Sequence, residues 1–247
     1  RPGAKFPRVL LVSQSDDSRS IRSFVIRTGR MTPAQLRAMK ELLPRYELDQ
    51  AQQRDPLAAF ARRAPLHLEI GIGNGDNVVQ AAKMAPAINF LGCEVHRPGL
   101  GHVLQRLHNE ELSNLRIVQA DAIDLLRRLP PHSLDRIAMF FPDPWPKKRH
   151  HKRRLLQLPF LRHLARASKP NACFLFASDN EDYANSALEA IEAAPEWLNL
   201  AGLGRWAPRP DLRVVTRFEA RALAAGSEVF EIAAAPKLTC HQPVSKI

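Results

Sequence analysis

Short apolar runs recur along the middle of the chain, separated by segments of helix length. The runs at 66–70, 90–95, 115–119, 136–141 and 172–177 read as buried strands. Between them, 76–85, 98–112, 121–129 and 152–168 read as helices. Alternating strand and helix predicts a parallel sheet joined by right-handed crossovers. The pattern then changes. Residues 182–194 suggest one more helix, whereas 214–218 and 229–234 suggest two strands with no long helix between them. The expected architecture is α/β: a mostly parallel seven-stranded sheet with an antiparallel terminal strand and helices on both faces.

Ahead of this pattern, residues 1–30 mix charges with Ser, Pro and Gly around one short β-like run, Phe24 to Ile26. They are expected to form a mobile arm, leaving 31–247 as a single domain. A helix should open that domain. Thr32 can cap it, Pro33 suits its first position, and Leu36, Met39, Leu42 and Leu43 share a face until Pro44 ends it. A second short helix is expected around Ala58 to Arg63.

Composition narrows the function classes. Hydrophobic residues make up 45% and charged residues 25%, as in ordinary globular proteins. No apolar run approaches the ~20 residues that span a bilayer. Thirty-six Lys and Arg against 25 Asp and Glu leave a net charge of +11, which favours a polyanionic partner. Cys93, Cys173 and Cys240 lie far apart without metal or redox spacing. They read as reduced thiols, consistent with cytoplasm.

The chemistry gathers at predicted strand ends. Leu68, Glu69 and Ile70 lead into a glycine set at Gly71, Gly73 and Gly75, followed by Asp76. Such glycines allow a tight turn and close backbone approach to a ligand at a helix start. The spacing differs from the dinucleotide fingerprint, and flanking carboxylates suit a cation better than a pyrophosphate. S-adenosylmethionine, with an ammonium and a sulfonium, is such a ligand. Glu94 ends the second strand, where a carboxylate can accept from ribose hydroxyls. Asp121 follows the third, placed for an adenine amino group or as a helix cap. Asp143 follows the fourth between Pro142 and Pro144, which stiffen its backbone. Asp179 follows the fifth.

Directly after Asp143 comes a basic run: Lys147, Lys148, Arg149, His150, His151, Lys152, Arg153 and Arg154. Beside an acidic site it is placed to hold phosphates, although such a run can also be only a solvated face. The two histidines lack further ligands nearby, so no metal is expected. In the predicted hairpin, Thr216, Glu219 and Arg221 look like one face of a strand or a soluble edge. A nicotinamide-dependent oxidoreductase and a non-catalytic RNA-binding protein remain rival classes. The first leaves the basic run unexplained, the second the acids at the strand ends.

The chain resembles the bacterial tRNA (guanine-N7)-methyltransferase family over roughly 22–235. The resemblance rests on 68–75, on Glu94, Val95 and His96, on Ser113, Asn114 and Leu115, on 140–154, and on 216–221. The run from Phe140 to Arg154 carries most of it. The resemblance implies a Rossmann-like class I methyltransferase fold, S-adenosylmethionine as cofactor, and a guanine in the tRNA variable loop as target. It assigns Glu69, Gly71, Gly73, Glu94, Asp121 and Asp143 to the cofactor, with Asp143 also catalytic. It assigns Lys147, Asp179, Thr216, Arg217, Phe218 and Glu219 to substrate, and Arg149, His150, His151, Lys152, Arg153 and Arg154 to RNA. It carries no obligatory protein partner, and a monomer or weak homodimer is expected. Asn180 and Asp182 replace the family's usual Trp and Pro; Arg217 and Ala222 replace Lys and Gly.

Overall fold

Five strands pair in parallel: β1 (Leu66–Ile70), β2 (Asn89–Glu94), β3 (Leu115–Gln119), β4 (Leu134–Phe140) and β5 (Ser168–Ser178). Two more complete the sheet. β6 (Trp197–Asn199) forms one edge, and β7 (Phe230–Pro236) runs antiparallel between β5 and β6. The order is β3-β2-β1-β4-β5-β7-β6. Chain direction across the sheet reverses between β1 and β4, and ligands bind at such a switch, beyond the carboxyl ends of the strands. This computed structural model describes residues 30–211, 213–224 and 226–237. The expected arm, with Phe24 to Ile26, lies outside the described residues apart from Arg30.

Two apolar layers sandwich the sheet. On one face α1 (Pro33–Glu41), α3 (Asp76–Met84) and α4 (Arg97–Asn109) cover Phe90, Leu115 and Ile117, with α2 (Leu43–Tyr46) beside them. On the other, α5 (Ala122–Arg128), α6 (Leu158–Ala167) and α7 (Glu181–Ala193) cover Leu66, Leu68, Ile70, Leu91, Cys93 and Val118. Strand pleating sends alternate residues to the two layers. α1 is capped as expected, Thr32 and Gln35 bonding each other's backbone reciprocally. Asn114 fixes the end of α3 by donating to the carbonyls of Ala82 and Ile88 at 2.9 and 3.0 Å.

Several expectations need correction. Residues 214–218 do not form a strand: 213–216 belong to no helix or strand, and α8 (Arg217–Ala224) begins at Arg217. Thr216 caps α8, accepting from the Glu219 N–H at 3.2 Å. The residues therefore do not share a strand face, and at a spacing of three Thr216 and Glu219 would have faced opposite sides even in a strand. The seventh strand is instead β6, which has just three residues. The expected helix at 152–168 starts at Leu158, after a 3-10 helix over Lys148–Arg153. Around Ala58 the chain makes 3-10 turns, Gln52–Arg54 and Pro56–Ala59, with no helix to Arg63. In α1, Leu36 faces solvent while Ala38 and Met39 turn inward. α1 stops at Glu41, and Pro44 lies in the first turn of α2.

Candidate cofactor and nucleic-acid site

A cleft of about 350 Å³ opens where the sheet order reverses. Its walls come from the ends of β1, β2 and β4 and the loops after them: Gly71, Glu94, Val95, His96, Phe141, Asp143 and Trp145, with Ala120, Ala122, Leu155 and Tyr183 behind. Gly71 and Gly73 have left-handed backbones (φ +76° and +53°). A Cβ on either would meet nothing within 4 Å, so the backbone presents an open cradle.

Glu94 closes that cradle. Its Oε2 accepts from the Gly73 N–H at 2.8 Å, and its Oε1 accepts from the Val95 and His96 N–H groups at 2.7 and 2.8 Å. One carboxylate thus ties the glycine loop to the chain leaving β2. His96 caps α4, its Nδ1 accepting from the Gly99 N–H at 3.3 Å. Asp121 caps α5 by accepting from the Ile123 N–H at 2.7 Å. Its neighbours Ala120 and Ala122 line the cleft, and Asp121 sits just behind the wall.

Asp143 stands exposed at the mouth of the cleft. Phe141 and Trp145 on either side adopt φ +49° and +47°, a region that costs side-chain-bearing residues energy and persists only where surroundings impose it. The surroundings are visible. The Arg213 guanidinium lies 5.4 Å from the Phe141 ring centre, and that of Arg153 lies 5.0 Å from the Trp145 ring. His150 meets Trp145 edge-on at 5.9 Å.

Glu69 is not brought to this cleft. It lies behind the glycine loop on a small separate cavity of about 30 Å³, with Asn77, Arg136, Phe140 and Arg213. Burial raises its pKa to about 7, opposed by a hydrogen bond from Asn77 Nδ2 at 2.6 Å.

The basic run divides in two. Lys147, Lys148, Arg149 and Lys152 are exposed beside the cleft mouth, with His150 and Arg153 half-buried around Trp145. Arg154 turns inward and is buried. It donates to the Pro144 carbonyl, Ser186 Oγ and the Asp182 carboxylate, and it lies over the Tyr183 ring. His151, half-buried, points to the same partner, with Nε2 3.5 Å from Asp182. That hydrogen bond from Arg154 holds the Asp182 carboxyl below its ordinary pKa.

Known proteins match this arrangement. A family model described as putative methyltransferase covers residues 63–232. The tRNA (guanine-N(7)-)-methyltransferase of Methylococcus capsulatus is 46% identical over 88% of this chain and 95% of its own. The enzyme of that name from Nitrosospira multiformis is 45% identical over 87% of this chain and 93% of its own. The chain belongs to the tRNA (guanine-N7)-methyltransferase family. Two solved structures share the fold at lower identity. The 16S rRNA methyltransferase KamB (16% identity, TM-score 0.52) covers 86% of this chain and 98% of its own. A 16S rRNA adenine methyltransferase from Catenulisporales acidiphilia with S-adenosylmethionine (20%, TM-score 0.51) covers 80% and 95%.

Other family-motif residues scatter around the cleft. Asp179 is half-buried just past β5 and does not line it. Glu219, in the first turn of α8, is buried against Arg213 (2.7 and 2.8 Å) and Arg209 (3.1 Å). The side chains of Arg217 and Phe218 lie outside the described residues. The family departures have structural uses here: Asn180 caps α7 by accepting from the Tyr183 N–H at 2.8 Å, and Asp182 anchors Arg154. Sequence reading missed His96, Phe141, Trp145 and Tyr183 as groups lining the cleft, and Asn77 and Arg213 as groups behind it. For Phe141 and Trp145 a signal was present, since aromatic residues flank a proline-bracketed aspartate.

Proposed function

We propose that this chain transfers the methyl group of S-adenosylmethionine to N7 of a guanine in tRNA, forming 7-methylguanosine. One observation carries the reading. Among the described residues, the lining of the cleft at the sheet's switch point contains two carboxylates, Glu94 and Asp143, and no Lys or Arg, while the run of cations begins immediately outside it. An acidic interior fits a cationic cofactor and disfavours a pyrophosphate, and a basic rim fits a polyanion. The family's printed activity points the same way.

The open glycine cradle, Glu94 and Asp121 are the groups that would hold the cofactor. Glu94 already accepts three backbone N–H bonds, so its second Oε2 site is the one left for a ribose hydroxyl. When bound, the cofactor supplies an electrophilic methyl, and the carbon–sulfur bond breaks as the carbon–N7 bond forms. Guanine N7 has an exposed lone pair and carries no proton. No strong base is therefore required, and the protein's work is alignment and exclusion of water.

Asp143 is assigned to guanine's N1–H and N2–H₂ edge. There it orients N7 and offsets positive charge developing on the ring. Lys147, Lys148, Arg149, His150, Lys152 and Arg153 hold the phosphate backbone, and Asp179 with 216–218 frames the target nucleotide, Glu219 holding that stretch through Arg213. Arg154 acts differently: its buried bonds to Pro144 and Asp182 hold the loop that carries Asp143. The target lies in the variable loop, and the enzyme works in the bacterial cytoplasm as a monomer or weak homodimer without an obligatory protein partner. Calorimetric titration tests the cofactor assignment. Binding of S-adenosylmethionine with no binding of NAD is expected, and the reverse would overturn it.

A further inference from the structure

Asn77 lies buried in the first turn of α3, directly after the glycine cradle. Its amide is engaged at both ends. Nδ2 donates to Glu69 Oε2 at 2.6 Å, and Oδ1 accepts from the Val214 N–H at 3.0 Å, across 137 positions of chain. Val214 begins the stretch that leads through Thr216 into α8. The residue before it, Arg213, is locked by the buried carboxylates of Glu219 and Glu231 and lies over Phe140 and Phe141. The stretch is therefore pinned twice: to the loop carrying Asp143 through Arg213, and to the cofactor loop through Asn77.

Few side chains can make the second link. It needs a donor toward a carboxylate and an acceptor toward a peptide N–H, held a fixed distance apart, which an amide provides. The donor bond also responds to charge. A cation bound at the glycine loop favours the ionised form of Glu69, and a hydrogen bond to an ionised acceptor is shorter and stronger. Fixing Nδ2 fixes Oδ1, and with it the start of the 214–219 stretch.

We infer that Asn77 is a positioning residue that couples the cofactor loop to the tRNA-holding stretch 214–219, so that a ligand at either site tightens binding at the other. This rests on the functional reading above. By linkage the coupling is reciprocal, and the expected factor is on the order of tenfold.

The test is a binding cycle on the full chain with sinefungin, which carries an ammonium in place of the methyl sulfonium and cannot donate a methyl, and unmodified tRNA. Each dissociation constant is measured with and without the other ligand, in wild type and in Asn77→Asp. The aspartate keeps an acceptor for Val214 and, with the cycle run at about pH 8.5 or above so that it is ionised, cannot donate to Glu69. Roughly tenfold mutual tightening in wild type, falling below about twofold in Asn77→Asp with tRNA affinity alone little changed, supports the inference. Full coupling in the variant overturns it, as does absence of coupling in a wild type that binds both ligands. A wild type that binds neither ligand overturns the functional reading first. Should the variant fail to fold, amide exchange in wild type decides. Sinefungin should slow exchange at the Val214 N–H about fivefold or more. Protection confined to the glycine loop would overturn the inference.

Discussion

The floor of the cleft and the rim beside it carry opposite charge and opposite kinds of order. On the floor, Glu94 is fixed by three backbone N–H groups and His96 as a helix cap, with Asp121 fixed as a cap just behind the wall. On the rim, Lys147, Lys148, Arg149 and Lys152 extend into solvent from one loop and a short 3-10 helix. Fixed dipoles suit one small ligand, because they need no reorganisation when charge arrives. Solvated cations suit a polyanion, whose binding they strengthen by releasing its counterions. Arg154 marks the border. It belongs to the run by sequence and to the interior by its contacts, so adjacent arginines serve different purposes.

The largest effect expected from breaking this division is at Asp143. Asp143→Asn should lower turnover by about 100-fold or more while the melting temperature stays unchanged. Near-normal turnover would remove Asp143 from the reaction.

Glu69 sharpens the contrast between two acids at strand ends. Its pKa of about 7 lies above the ordinary 4.5 of the unfolded chain, so its native form holds the proton more tightly. Stability from this group is complete below pH 4.5 and is lost as pH rises through 7. Relative to wild type, Glu69→Gln should gain on the order of 3 kcal/mol between those limits, read by denaturant unfolding. It should also weaken S-adenosylmethionine binding at pH 8. An unchanged pH dependence would place Glu69 in a more solvated setting than its burial indicates.

Next comes the border itself. Arg154→Ala should cost about 2 kcal/mol of stability through its lost bonds. Replacing Lys148 and Arg149 with alanine should leave stability alone and reduce the salt slope of tRNA binding by about 1.8, if each meets one phosphate. Equal stability losses in the two variants would erase the distinction between border and rim. The smallest effect is at Thr216, where alanine removes a helix cap worth about 1 kcal/mol.

The parallel half of the fold was legible because strands buried on both faces are near-continuous apolar runs. The error at 214–218 has an identifiable cause. Val214, Val215 and Phe218 have strand propensity, but Thr216 and Glu219 stand three apart before Ala220, Ala222, Leu223 and Ala224, a helix-start pattern. β6 was illegible because three residues carry no period. Within the site, Glu94 and Asp143 were read as acids at one edge, and the cleft brings them together. The inward turn of Glu69 was also readable from pleating. Leu68 and Ile70 face α5 to α7, so the residue between them must face α3. The burial of Arg154 was not readable, because a run of like charges does not show which member finds a carboxylate.

The most direct measurement is incubation of the protein with methyl-labelled S-adenosylmethionine and unmodified tRNA, followed by nucleoside analysis. The account predicts label in 7-methylguanosine, abolished by Asp143→Asn. Label in any other nucleoside, or bound cofactor with no transfer to tRNA, would contradict it.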